Sequence, residues 1–521
     1  MRSPSPRSVC LLPALAGLLC AAMSPRAEAG GVTLVTHGFN GNVTDWVIPM
    51  ADRIPGHPGF EGTEVSCYQL VIVENNSGQL EASAALISGS PGDLAGSGEI
   101  FVKLDWSNVD GGSRSSTEIA ELAVAALVFP GLIPDLDGRP LTELPLHLIG
   151  HSRGGSVVSE MARFCGARGL WVDQVTTLDP VPVATFGDAA VRAWENVLFA
   201  DNYWQVIGGF FVPTGQPVSG AYNRELTDLG GGYGSPHSDV HLWYHGTIEL
   251  GTPATDTQAT ITSSERSSWW VGSEAAGAAT GFQYSRIGGG DRLSSFEPAG
   301  SGTGAISDGF NRAWDLGGGV TGNRAALPAN SGEWPNIIRC LLATSGPVTA
   351  GGSFDLEVYH QSGAGASGDI EVRTLLDPDG NPWNGNETEV GRHLLPNTGT
   401  NLVRNSTLTV ATDPAGVAPG AYAVLTAITD GTRTRYLYAP EDLVVLGPPR
   451  IDEKTVRLEG GLARFTVRGA PGQDVTILAS GNLLDWTPIA SQVLSGTTWE
   501  FADPDTAMFP RRFYEAVGTP E

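Results

Sequence analysis

The chain has 521 residues, 41% of them hydrophobic and 17% charged, which is too long for one core and too weakly charged for extended disorder. Its 69 glycines and 35 prolines predict many turns and a large β content, and its formal net charge of −26 argues against nucleic acid or an anionic membrane as its main partner. Two to four folded domains are expected.

Arg2 and Arg7 precede an apolar run from Val9 to Ala22, followed by Ala27-Glu28-Ala29. A positive start, a short apolar stretch and a small-x-small site describe a signal peptide over residues 1–29, cut after Ala29. The expected localisation is secreted or cell-surface. Leu19 before Cys20 is a poor lipidation context, and no later stretch is long and apolar enough to span a bilayer. Cys10 and Cys20 belong to the leader, so Cys67, Cys165 and Cys340 allow at most one intramolecular disulfide, of undetermined pairing.

After the leader, apolar strand-like runs alternate with helical spacing. Val32 to Thr36 and Ile100 to Leu104 read as strands. Ile119, Leu122, Ala123, Ala126 and Leu127 put a helix over 117–129, ended by Pro130. Leu144 to Ile149 is a strand, Ser156 to Phe164 a helix, and Val172 to Leu178 and Asn196 to Ala200 further strands. This rhythm predicts a mostly parallel sheet covered on both faces. Residues 251–345, with Trp269-Trp270 and Gly288-Gly289-Gly290, have no clean period and read as an irregular extension of the same unit.

Gly150-His151-Ser152-Arg153-Gly154 joins the strand ending at Ile149 to the following helix. Glycines two before and two after the serine permit a sharp corner that exposes its hydroxyl, and the helix N-terminus suits a developing oxyanion. A serine nucleophile needs a base, and the base an orienting acid. Asp179 follows the strand after the serine's helix and is preferred as the acid over Asp201, at the end of the next strand. The base falls in Ser235-Pro236-His237-Ser238-Asp239-Val240-His241-Leu242-Trp243-Tyr244-His245. His237, in a loop before a helix capped by Ser238 or Asp239, is weighed slightly above His241.

These segments together resemble the lipases and esterases of the α/β-hydrolase superfamily, over residues 31 to 250. Gly-x-Ser-x-Gly resembles their nucleophile corner. Val35-Thr36-His37-Gly38-Phe39-Asn40 resembles their His-Gly segment, and Leu178-Asp179-Pro180 the acid of pancreatic-type lipases. His241-Leu242-Trp243-Tyr244 resembles the segment around the catalytic histidine of fungal class 3 lipases. The resemblance implies an α/β-hydrolase fold, a mostly parallel sheet with helices on both faces. It also implies oxyanion donors at the backbone N–H groups of Phe39 and Arg153. Two departures stand out: Arg153 replaces the leucine common after the serine, and no apolar lid is evident. The Arg153 cation either favours an acidic substrate or pairs with a structural carboxylate.

Beyond Ser345 short alternating segments replace the helices: Ser353 to His360, Asp369 to Leu375, Thr407 to Ala411, Ala421 to Ile428 and Thr434 to Ala439. The expected organisation is a catalytic domain over 30–345, an immunoglobulin-like β-sandwich over 346–447 and a small β domain over 450–521, so that two all-β domains follow the first. Asp377-Pro378-Asp379-Gly380-Asn381 could hold calcium weakly but is more often a turn. No metal and no cofactor are expected at the site. The resulting expectation is a secreted serine hydrolase acting on small-molecule or lipid esters, its β domains attaching it to a surface or polymer. Two alternatives stay open, an amidase or peptidase using the same triad and an adhesion protein with an inactive hydrolase domain.

Overall fold

The computed structural model describes residues 30–54, 65–89, 99–111, 114–136, 138–207, 213–226, 229, 232–233, 235–248, 269, 281–284, 324–362, 368–397, 403–412, 417–470 and 472–518. The expected signal peptide, Trp270 and Gly288-Gly289-Gly290 lie outside the described residues. The first unit is built on eight strands: β1 (Val32–Thr36), β2 (Ser66–Glu74), β3 (Leu80–Ser88), β4 (Ile100–Asp105), β5 (Leu146–His151), β6 (Val172–Leu178), β7 (Val197–Trp204) and β8 (Tyr222–Glu225). Their order is β3-β2-β4-β1-β5-β6-β7-β8. β3 runs antiparallel to β2, and the other neighbours are parallel.

The expected α/β-hydrolase fold is corrected here. Strand makes up 44% of the structure against 18% helix, the eight-stranded sheet is mixed, and the described residues contain only four α-helices. These are α1 (Ile48–Ala51), α2 (Ser116–Val128), α3 (Arg153–Ala167) and α4 (Pro236–Ile248). A short helix, α1, separates β1 from β2, and the rhythm of strand then helix is sustained from β4 to β6, but two other connections break it. β2 returns directly as β3 through a turn in which Asn75 Oδ1 accepts from the N–H groups of Ser77 and Gln79 and Gly78 takes φ +76°. β6 reaches β7 through a single 3₁₀ turn, Ala184–Phe186. Apolar strand runs alone therefore overstate how many helices intervene.

Where helices do form, local chemistry accounts for them. α2 opens with a reciprocal capping box between Ser115 and Glu118, a device stabilising a helix by about 1 kcal/mol. Its Ile119, Ala123 and Leu127 share one core with Val157, Val158 and Met161 of α3 and with Leu34, Val102 and Leu148 of the sheet. A second core joins Met50 of α1 and Val240, Trp243 and Tyr244 of α4 to Val35, Phe101, Ile149 and Phe199. Trp269 and Phe282 are buried in that same cluster. β5 lies inside the sheet between β1 and β6, and every residue of it is buried.

The C-terminal region consists of β-sheets. β9 (Asn336–Leu342), β11 (Ser353–Gln361) and β14 (Val403–Ala411) form one sheet. The facing sheet contains β10 (Val348–Thr349), β12 (Ile370–Asp377), β13 (Thr388–Leu395), β15 (Gly420–Thr429), β16 (Thr434–Tyr438) and β17 (Leu443–Leu446). Leu356, Val358, Val372, Val424 and Ile428 lie in the core between them. β9 precedes the boundary expected at 346, yet it pairs with β11. The first unit and this one share polar contacts: Asn336 donates to Gly169 O at 2.6 Å, and Trp171 Nε1 to Gln361 Oε1 at 2.7 Å.

The last six strands are β18 (Arg450–Glu459), β19 (Leu462–Arg468), β20 (Asp474–Ser480), β21 (Thr487–Val493), β22 (Thr498–Asp503) and β23 (Phe513–Gly518). They form two three-stranded sheets around Phe465, Val467, Val475 and Ile477. Cys67, Cys165 and Cys340 are all buried free thiols. No helix among the described residues is long and apolar enough to cross a membrane.

Candidate active site

Ser152 is the single residue between the end of β5 and the start of α3. It takes φ +56° and ψ −123°, a conformation that costs a non-glycine residue about 1–3 kcal/mol. The flanking glycines make this corner possible. A Cβ on Gly150 would lie 2.2 Å from Gly154 O, and one on Gly154 would lie 2.4 Å from His37 O. Ser152 N–H donates to Leu178 O at 2.9 Å, and Val181 N–H donates to Ser152 O at 3.1 Å. The corner is thus held by the strand that carries the acid. The Ser152 side chain does not cap α3, so the free N–H groups of the first helical turn remain available to an anion.

Asp179 follows β6, is fully buried and takes φ +43°. Its Oδ1 accepts from the N–H groups of Gln205 at 2.9 Å and Gly215 at 3.0 Å. Its Oδ2 accepts from Gln205 Nε2 at 2.8 Å and from His237 Nδ1 at 2.6 Å. All four lone-pair directions of the carboxylate are used, so the acid is fixed in position and His237 is fixed by it. Gly215 has no room for a side chain, because a Cβ there would lie 2.2 Å from Asp179 Oδ1.

His237 lies inside α4, which begins at Pro236 rather than after the histidine. Pro at the helix start sacrifices no intrahelical hydrogen bond. Asp239, one of the two residues expected to cap the helix, accepts instead from Tyr233 N–H at 2.7 Å. With Nδ1 donating to Asp179, the Nε2 of His237 is left as the basic nitrogen.

The rival residues take other places. Asp201 is buried, accepting from Thr176 Oγ1 at 2.6 Å and Gln174 Nε2 at 3.1 Å. His241 sits one helical turn beyond His237 and stacks on Trp46 with ring centroids 4.3 Å apart. Burial pushes His241 well below the usual imidazole range, with neighbouring His151 adding to the shift.

Ser152 and His237 line one cavity of about 400 Å³. Its other walls include Gly38, Phe39, Asp45, Trp46, Tyr233 and His241. Gly38 is pressed against the serine, since a Cβ on it would lie 2.6 Å from Ser152 Cβ. That contact brings the backbone beside Phe39 to the serine, while the Phe39 ring stacks on Phe186 at 5.6 Å. The Arg153 side chain turns away from the cavity into the protein. Its Nε and Nη2 meet the buried Asp188 carboxylate at 2.6 and 2.8 Å, and its guanidinium packs over the Trp106 and Phe186 rings. The structural-carboxylate alternative therefore describes Arg153. His37 is buried against Trp106, within 3.7 Å of both Asp105 and Asp110. A hydrogen bond with His37 holds Asp105 well below the usual carboxylate range, whereas burial raises Asp110.

Among the described residues no group of three or more His, Cys, Asp or Glu side chains could hold a metal ion. In the loop weighed as a calcium site, Asp377 Oδ1 accepts from the N–H groups of Asp379 and Gly380. Asp379 accepts from Asn381 N–H, Asn384 and Asn386. These donors make a turn. Gln205, Gly215 and Asp188 were not singled out in the sequence because no motif surrounds them; they reach the site through the sheet order.

No protein-family model matches the chain, and no curated protein matches it significantly.

Proposed function

We propose that the chain is an exported serine hydrolase that cleaves carboxylic esters. The observation that carries this reading is the buried Asp179–His237 pair opening onto the cavity that also holds Ser152 on a strained corner. In this reading Ser152 attacks the ester carbonyl. His237 Nε2 takes the hydroxyl proton and returns it to the leaving alcohol. Asp179 holds the imidazole in the required tautomer and offsets its positive charge. The N–H groups of Phe39 and Arg153 bind the oxyanion, and water then releases the acid. The lipase- and esterase-like motifs favour an ester over an amide, and a cavity of about 400 Å³ favours a short acyl group. The leader-like residues 1–29 support export. The C-terminal β-sheets suit attachment to a surface or polymer.

The test is turnover of p-nitrophenyl esters of increasing acyl length, beside matching anilides, by the chain from Gly30 onward. The reading expects hydrolysis of short esters that disappears in Ser152→Ala. Preferential anilide cleavage would make the protein an amidase. Absence of all turnover by folded protein would favour an adhesion module.

A further inference from the structure

His151 precedes the nucleophile, and its side chain has no part in the chemistry proposed above. Its Nε2 lies 2.9 Å from the backbone carbonyl of His237. A carbonyl can only accept, so Nε2 carries the proton and donates. The two residues are far apart in sequence, and this hydrogen bond links the end of β5 to the first turn of α4. The His151 and His237 rings lie 4.5 Å apart, the His151 and His241 rings 4.7 Å apart, and Trp46 meets His151 edge-on at 5.6 Å.

We infer that His151 is a positioning residue for the base: its Nε2–H fixes the His237 backbone relative to Ser152. The inference rests on the reading of Ser152 and His237 as nucleophile and base. Asp179 holds the His237 imidazole from one side, and His151 holds the main chain from the other. Without the second hold, the helix start can shift while the imidazole remains attached to the acid. The distance from base to serine then varies, and displacements of about 1 Å at such a site can cost on the order of 100-fold in rate. The arrangement requires the proton on Nε2 whenever His151 is neutral. The titratable groups around it are His237 and His241 of α4 and His37 of the segment after β1. Burial holds His151 well below the usual imidazole range, and His237 pushes it further down.

The decisive comparison is His151→Phe, which keeps a ring but removes the donor, with His151→Gln, whose amide can restore the N–H. His151→Phe should lower kcat about tenfold or more, leave KM nearly unchanged and slow fluorophosphonate labelling of Ser152 in proportion. His151→Gln should recover most of that loss. Unaltered kcat in His151→Phe, beside a labelled wild-type serine, would overturn the inference alone. A wild-type serine that does not label would overturn the parent reading and this inference together. If neither variant folds, selectively labelled histidine spectra of the wild type decide. Neutral His151 must carry its proton on Nε2, and a neutral His151 protonated on Nδ1 contradicts the inference.

Discussion

Asp179 and Asp377 are both fully buried carboxylates at strand ends, and both accept hydrogen bonds from backbone N–H groups. They differ in their remaining donor. Asp377 receives the hydroxyl of Tyr438, which is itself buried in the β-sandwich. Burial raises the pKa of both members of that pair, and neither of them lines the cavity. Asp179 receives His237, whose ring borders an open cavity. A buried acid with satisfied lone pairs is thus a structural device by default. It becomes chemically useful when its last donor faces a space where a substrate can sit.

Exchanging each acid for its amide should break this comparison most strongly. Asp179→Asn should lower kcat about 10⁴-fold through the wrong histidine tautomer while leaving the fold intact. Asp377→Asn should leave ester turnover unchanged and cost about 1–3 kcal/mol of stability through an unmatched buried group. Turnover and denaturant melts on both variants check this. Equal activity loss in the two would remove the distinction.

Asp188 sharpens it. Like Asp377 it is structural, but it supports the serine corner through Arg153. Asp188→Ala would leave a buried guanidinium uncompensated and should cost about 3–5 kcal/mol in urea unfolding. A loss within measurement error would show that the pair contributes nothing to the corner.

Glu143, in a 3₁₀ turn of the first unit, shows what burial does when it outweighs nearby cations. Burial raises its carboxyl to about 7, against the pull of Arg139 and Arg435. The folded state therefore holds a proton that the unfolded chain releases above its ordinary value of 4.5. Glu143's contribution is complete below about pH 4.5 and is lost as pH rises through about 7, amounting to about 3 kcal/mol. Glu143→Gln should flatten stability between those values and exceed the wild type at pH 8. Parallel stability curves would contradict the assignment.

Legibility in the sequence followed the range of the causes. β1 and β6 have the residues that their apolar runs predict, and α2 starts within one residue of its expected place because its apolar residues keep helical spacing throughout. The Ser152 corner was legible because its steric requirements sit at Gly150 and Gly154. The β2–β3 hairpin was not, because β3 is an edge strand whose alternating half-exposed pattern gives a weak signal. The hold on Asp179 by Gln205 and Gly215, and that of His151 on His237, depend on strand order and had no local signature. Arg153 was ambiguous because its partner Asp188 is brought near only by the fold.

The most direct test of the central claim is mass-spectrometric mapping of a fluorophosphonate probe on the folded chain and on Ser152→Ala, His237→Ala and His241→Ala. The account predicts adduct on Ser152, none at that site in Ser152→Ala, near-complete loss in His237→Ala and substantial labelling in His241→Ala. Labelling that survives in His237→Ala and vanishes in folded His241→Ala would contradict the assigned base, and an unlabelled wild-type Ser152 would contradict the nucleophile.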